Sequence, residues 1–297
     1  MNPFLNEYDT PFKIPPFEKI KFEHYEPAFR AGMEEHQKEI QIIANDSAEP
    51  TFENTIEAME RSGKTLDKVS NVFFNLLGSN TNDDMDALAM KISPELSAHN
   101  DAILLNKSLF RRIESVYNNK LSFDLSTEQN RLLDETYKRF IRSGANLDNE
   151  SMKRLTQINS SLSSLSVQFD QNVLKETNSF SMVIDNKDDL DGLPEEEIRQ
   201  AALLANSEGQ NGKWIFKPTR VSMYPFLTYS TKRDLREELY NSYIQRGDND
   251  NEFDNKEIIA EMVSLRKEKA KMMGFESHSD YVLDNTMAKT PENVNKL

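Results

Sequence analysis

Apolar residues recur every three or four positions along most of this chain, a spacing that predicts helices. Phe52, Ile56, Met59, Gly63, Leu66, Phe73 and Leu77 fall on one face of a single long helix. Leu155, Ile158, Leu162, Leu165, Phe169 and Val173 form the most regular stripe, with Ser160, Ser161, Ser163, Ser164 and Ser166 between its members. Those serines are expected to be exposed small polar positions; a close helix approach is the alternative they permit.

Helix starts are marked by capping residues. Ser126 and Gln129 make a capping box ahead of Leu133, Tyr137 and Phe140, and Asp254 with Glu257 repeats the pattern, with Phe253 placed to staple onto Ile258. The stripe Ile258, Met262, Leu265 follows, bases gather at Lys267, Lys269 and Lys271, and Gly274 supplies the helix stop. Ser277 caps a helix through Val282, Leu283 and Met287. Thr290 caps the last, with Pro291 at its first position and Glu292 in its first turn. Val294 and Leu297 give that helix about two turns, shorter than one that holds itself together in water. The expectation is a helix whose remainder lies beyond Leu297.

The period changes at two places. "SFSMVID" and "KWIFK" alternate, which predicts strands near 178–185 and 212–218, joined by a short helix, "PEEEIRQAALLAN", that stops near Gly209. At the other end Pro3, Pro11, Pro15 and Pro16 are interleaved with Phe4, Tyr8, Phe12, Phe17 and Phe22. Repeated prolines forbid a helix, so residues 1–22 read as an extended arm lying across the body, and no PxxP ligand motif occurs. The fold class is mainly α: an elongated multi-helix body with a small two-stranded β element. Its regions are the arm at 1–22, a helical region at 23–177, the β element with its helical excursion at 178–230, and a second helical region at 231–297.

Composition narrows the chemistry. The net charge of −14, from 50 acids against 36 bases, argues against a nucleic-acid backbone as partner. With no cysteine, disulfides, thiolate zinc sites and cysteine nucleophiles are excluded. The opening "MNPFLNEYDTPF" lacks the basic and apolar regions of a signal peptide, and no run nears the ~18 apolar residues of a membrane span. A cytoplasmic protein is the expectation.

A metal site would need the four histidines, His24, His36, His99 and His278, and no two stand at i, i+4 around a glutamate. Glu95 and His99 share a helical face but are only two ligands. Glu276, His278 and Asp280 cluster in sequence, yet Asp280 suits a first-turn acid behind the Ser277 cap. Asp280 and Asp284 have the spacing of a solvated helix face. "RGDNDNEFDN" has the polar look of a calcium loop but carries Phe253 and Ile259 at its sixth and twelfth positions, counted from Asp248. No Gly-x-Ser-x-Gly turn or phosphate-cradling glycine loop occurs.

Longer phrases carry a resemblance. "FEHYEPAF" (22–29), "PTFENTIEAME" (50–60), "FLTYSTKRDLREELYNSYIQRG" (226–247) and "DNKEIIAEMVSLRKEKAKMMGFESHSDYVLDNTMAKTPENV" (254–294) resemble the N-terminal half of the zinc metallopeptidases related to thimet oligopeptidase. The Asn/Asp-rich loop and "MAKTPENV" are most similar to the bacterial peptidyl-dipeptidase (dipeptidyl carboxypeptidase) branch, with oligopeptidase A the nearest rival. The resemblance implies the N-terminal portion of a two-lobed, channel-forming metallopeptidase that hydrolyses short peptides, with this part walling and roofing the channel. It implies zinc in the intact protein, held by a His-Glu-x-x-His helix in a C-terminal catalytic half. No position here matches that motif, so no catalytic, cofactor-binding or metal residue is assigned, no zinc is expected in this chain, and the chain alone is expected to be inactive. Short peptides and the catalytic half are the implied partners, with self-association as a consequence of uncovered apolar faces. A stand-alone helical peptide-binding or regulatory protein, an oligopeptidase A-like endopeptidase fragment, and an enzyme with an unrecognised site are the alternatives.

Overall fold

The computed structural model of the chain describes residues 2–297. In chain order its helices are α1 (Tyr25–Ala44), α2 (Lys64–Leu77), α3 (Asp83–Leu104), α4 (Lys107–Asn118), α5 (Thr127–Arg142), α6 (Asn149–Ser179), α7 (Glu195–Ser207), α8 (Arg220–Tyr229), α9 (Arg233–Ile244), α10 (Lys256–Met272), α11 (His278–Leu283) and α12 (Pro291–Asn295). The strands β1 (Met182–Ile184) and β2 (Trp214–Phe216) form an antiparallel pair in the register Met182↔Phe216, Val183↔Ile215, Ile184↔Trp214. The mainly helical reading with one small sheet therefore holds, and α7 lies between the strands in sequence as its three leading glutamates predict.

The chain divides into two compact units, Met1–Val167 with Val263–Leu297, and Gln168–Met262. The first unit has two apolar clusters. One gathers Ile40, Phe52, Ile56, Leu109, Ile113, Leu133 and Phe140. The other gathers Phe4, Tyr25, Phe29, Val69, Phe73, Leu88 and Ile92, with edge-on ring contacts from Phe73 to Tyr25 and Phe29. In the second unit Met182, Ile184, Leu190, Phe216, Met223, Phe226 and Leu239 close over the inner face of the sheet. Val183, between Met182 and Ile184, faces out, as period-two alternation requires.

Several local starts follow the sequence closely. Ser126 and Gln129 exchange side-chain bonds with each other's backbone N–H groups at 3.2 and 2.9 Å. Ser277 and Asp280 do the same at 3.1 and 3.0 Å. Thr290 accepts from Asn293 N–H at 3.3 Å with Pro291 leading the helix.

Three local expectations change. The single helix over 52–77 is broken: a π-helical turn at Phe52–Glu57 runs into a short α turn, and α2 starts afresh at Lys64. Gly63, counted on the apolar stripe, instead sits at φ 75°, donating its N–H to Glu39 Oε2 at 2.8 Å. A left-handed glycine cannot continue a right-handed helix, so the stripe is carried by two pieces. The serines of α6 are half-buried rather than exposed, and Ser163 and Ser166 line a cavity with Ser97 of α3 and Lys269 of α10. Finally, α10 starts one residue later than the Asp254–Glu257 box requires. Asp254 Oδ1 accepts from Lys256 N–H at 2.9 Å, while Asn255, almost fully buried, bonds Asn172 and the Phe169 carbonyl.

The proline-rich start forms four separate single 3₁₀ turns, at Pro3–Leu5, Pro11–Lys13, Phe17–Lys19 and Phe22–His24, joined by extended residues. Of its aromatics Phe4 is fully buried, whereas Phe12 is 96% exposed. Among the described residues no helix is long and apolar enough to cross a membrane.

Candidate functional site

The most chemically distinctive cluster of the first unit is polar and interhelical. Asp101 on α3, Asn159 on α6 and Lys269 on α10 form a chain of side-chain bonds. Asn159 Nδ2 donates to Asp101 Oδ1 at 2.8 Å, and Lys269 Nζ donates to Asn159 Oδ1 at 2.6 Å. Asp101 is 6% exposed and its Oδ2 has no hydrogen-bond partner. Burial pushes its carboxyl above the usual range, against the pull of Asn159, Lys269 and Thr156. Burial likewise pushes the Lys269 ammonium down, against the attraction of Asp101. Opposite shifts of this kind occur both in functional pockets and in structural polar networks that tie helices together. Here the cavity is about 330 Å³, and Ser97, Ser143, Ser163 and Ser166 complete its polar lining. Ser163 and Ser166 of α6 thus join a polar seam between helices, and the Asn159 amide bonds both charged groups at once. Its chemistry is hydrogen bonding and charge balance, which tie three helices.

A second juxtaposition joins two histidines 63 residues apart: His36 Nδ1 and His99 Nε2 stand 3.1 Å from each other, with ring centroids 5.1 Å apart. Burial lowers both imidazoles below their ordinary value, with Glu39 and Asp67 pulling His36 back up. Glu95, the residue paired with His99 by sequence spacing, turns instead to Arg30 at 3.0 Å.

The remaining sequence candidates resolve into structure. His24 Nδ1 accepts from Lys21 N–H at 3.0 Å, at the entry to α1. His278 occupies the first turn of α11 behind the Ser277–Asp280 box, and Glu276 is exposed. Asp280 and Asp284 do not act as a pair, since Asp280 is bound to Ser277 while Asp284 takes Arg142 at 2.6 Å. Arg142 also donates to the Tyr281 carbonyl and lies over the Tyr281 and Phe275 rings, which fastens residues 275–284 to α5.

In the second unit the Asn/Asp-rich loop holds a cation of its own. Lys256 Nζ lies 2.8 Å from carboxylates of Asp248, Asp250 and Asp254, which raise the ammonium pKa strongly. From the other side the buried carboxylate of Glu176 accepts from Gly247 N–H, Asn249 Nδ2 and Asn251 Nδ2. The loop is a protein-filled polar knot. Among the described residues no group of three or more His, Cys, Asp or Glu could hold a metal ion, so these donors do not fit the zinc site the resemblance implies for the intact protein.

Comparison with known proteins finds similarity to peptidases. The profile of peptidase family M3 matches residues 226–297. Over 291 residues the chain is 34% identical to a dipeptidyl carboxypeptidase of Salmonella typhimurium, covering 98% of this chain and 43% of that protein. The dipeptidyl carboxypeptidase of Escherichia coli K12 is 34% identical over 292 residues, with the same coverage. Oligopeptidase A of Haemophilus influenzae is 29% identical over 297 residues, covering 99% of this chain and 43% of that protein. The chain thus spans about two fifths of the length of these relatives.

Proposed function

The chain is a homologue of the peptidases of family M3, and on that premise we propose that it is the N-terminal, non-catalytic part of a zinc metallopeptidase releasing C-terminal dipeptides from short peptides. The observation that carries this reading is similarity along 98% of the chain to dipeptidyl carboxypeptidases more than twice its length, in a sequence without a His-Glu-x-x-His motif. In the proposal this part walls and roofs the substrate channel and restricts it to short, flexible peptides. Zinc, the general base and the scissile bond belong to a separate catalytic half; no step is assigned to residues of this chain. The cytoplasm is the proposed compartment.

Uncovered apolar surface supports a missing partner. In the second unit Leu203, Val221, Tyr224 and Tyr229 are at least half exposed. Scattered exposed apolar residues are common, but neighbouring ones on α8 form a face that favours association. The nucleotide sequence beyond the codon for Leu297 tests the proposal directly. An open reading frame encoding His-Glu-x-x-His supports it; a stop codon with no such motif downstream overturns it.

A further inference from the structure

We propose that the turn at 210–213 in the second unit is a site of spontaneous covalent modification, where Asn211 loses ammonia to the backbone nitrogen of Gly212 and becomes aspartate or isoaspartate. Only water is consumed, and the inference does not depend on the peptidase reading. The turn leads from α7 into β2. Gln210 N–H donates back to the Ala205 carbonyl at 2.8 Å, and Lys213 N–H closes the turn on the Gln210 carbonyl at 3.2 Å. Asn211 and Gly212 are its two central residues, and both are exposed. Gly212 stands at φ 81°, the positive value that a glycine supplies at the third position of such a turn.

The reaction needs an unengaged side-chain amide, an unengaged backbone nitrogen and room around them. Neither the Asn211 amide nor the Gly212 N–H makes a hydrogen bond among the described residues. A Cβ placed on Gly212 would meet no atom within 4 Å, so no neighbouring element crowds its nitrogen. That nitrogen gives its proton to hydroxide and attacks Asn211 Cγ. One C–N bond forms, a five-membered succinimide closes, and the side-chain nitrogen takes a proton from water and leaves as ammonia. Both partners are held in the same short stretch of chain, which makes the step intramolecular. Water then opens the ring. Cleavage at Cγ leaves aspartate; cleavage at the main-chain carbonyl leaves isoaspartate. The second product carries one extra backbone carbon, ahead of the Trp214 and Ile184 pair of the sheet. Either product adds one negative charge to the net of −14.

Structure separates this step from its rivals in the sequence. It is the chain's one Asn-Gly step, and Asp191 before Gly192 is the one Asp-Gly step, which could close the same ring. That second step is tied down. Asp191 Oδ2 accepts from the Thr231 hydroxyl at 2.6 Å, its carbonyl accepts from Thr231 N–H at 3.0 Å, and Gly192 packs against the Tyr229 carbonyl. Asn159, Asn178, Asn206 and Asn241 each precede a serine, but they lie in α6, α7 and α9. There the following N–H is a helix donor and the dihedrals are fixed.

The test is peptide mapping by mass spectrometry of the folded 297-residue chain held at pH 8.5 and 37 °C, with a parallel sample unfolded in guanidinium chloride. Circular dichroism checks the fold throughout. In the folded chain the peptide containing Asn211 is expected to convert to its acid form, as aspartate and isoaspartate products separated by chromatography. Its rate should lie within about fivefold of the unfolded sample, whereas isoaspartate at Asp191 should form at least about tenfold more slowly folded than unfolded. The four helical asparagines should stay intact while the chain is folded. Asn211→Gln, a change at an exposed position, should lose the product, because its longer side chain closes only a six-membered ring. Three results overturn the proposal: Asn211 intact in the folded chain but converted in guanidinium chloride, a helical asparagine converting as fast as Asn211, or product persisting in Asn211→Gln. Equal isoaspartate formation at Asp191 in both samples overturns the claim that the fold selects the site.

Discussion

Replacing Glu176 by alanine tests how the second unit is held together. Its carboxylate, 6% exposed, is the common acceptor for three donors in the 247–251 segment: the buried Gly247 N–H, and the side-chain amides of Asn249 at 2.8 Å and Asn251 at 2.6 Å. The two asparagines are exposed and recover water when the acceptor is lost; the Gly247 N–H is buried and does not. One orphaned buried donor costs about 1–3 kcal/mol, and lost bonds to a charged acceptor add about 1.5–3 kcal/mol. Relief from burying a charge offsets part of that sum. The expected net loss is about 3 kcal/mol, with Glu176→Gln losing roughly half as much because its amide oxygen still accepts from Gly247. Trp214, the sole tryptophan, lies in β2 of the same unit, so urea unfolding followed by tryptophan fluorescence reads the right part of the chain. The effect also has a pH signature. Burial raises the Glu176 pKa, but the three donors outweigh it and the net shift is downward. A depressed folded-state pKa means stability present above the unfolded value of 4.5 and lost as pH falls through the folded one. The gap between wild type and Glu176→Ala should therefore close in acid. A Glu176→Ala destabilisation below about 0.5 kcal/mol at pH 7, an ordinary surface effect, would refute the reasoning.

Other outcomes follow from the same structure. Lys256→Gln removes the cation shared by Asp248, Asp250 and Asp254, so its melting temperature should fall, and by less in 1 M salt than in 10 mM salt, since these groups are solvated. Gly192→Ala would put a Cβ within 2.2 Å of the Tyr229 carbonyl oxygen at φ 88°, and should cost at least about 3 kcal/mol by the tryptophan-fluorescence assay. In the first unit His36 and His99 are neutral-favouring, with lowered folded-state values. Their contribution is whole above pH 6.5 and declines as pH falls through the folded values, so thermal melts of His99→Ala and wild type should converge in acid. Asp101 has the opposite sign. Its raised carboxyl favours the protonated form, so Asp101→Asn should gain on the wild type as pH rises from 4 to 7 in the same melts.

What could be read from the sequence was local. The capping box at Ser126, the caps at Ser277 and Thr290, the serine-spaced stripe of α6 and the alternation of Met182 and Ile184 each depend on residues within a turn or two. Gly63 was misplaced because a stripe counts residues and cannot register a positive φ; its bond partner, Glu39, lies 24 residues earlier. The polar contacts of greatest interest were beyond reach for the same reason. Asn159 is 58 residues from Asp101 and 110 from Lys269, and no short-range period marks any of the three. His99 was weighed against Glu95, one turn away, whereas its partner is on another helix. Phe253 and Ile259 set the 246–255 stretch apart from the calcium-loop pattern, yet nothing in its spacing indicated that Lys256 binds its carboxylates or that Glu176 anchors it. The longer phrases did more than any period. They pointed to the peptidase family that the near-full-length similarity supports.

The central claim is that this chain shapes a peptide channel and leaves the chemistry to another half. Its most direct test measures release of C-terminal dipeptides from short blocked peptides, with zinc supplied, by the purified chain alone and by the chain co-expressed with a His-Glu-x-x-His-bearing catalytic half. The account predicts no cleavage by the chain alone and chelator-sensitive cleavage once the two parts are together. Chelator-sensitive cleavage by the 297-residue chain on its own would contradict it.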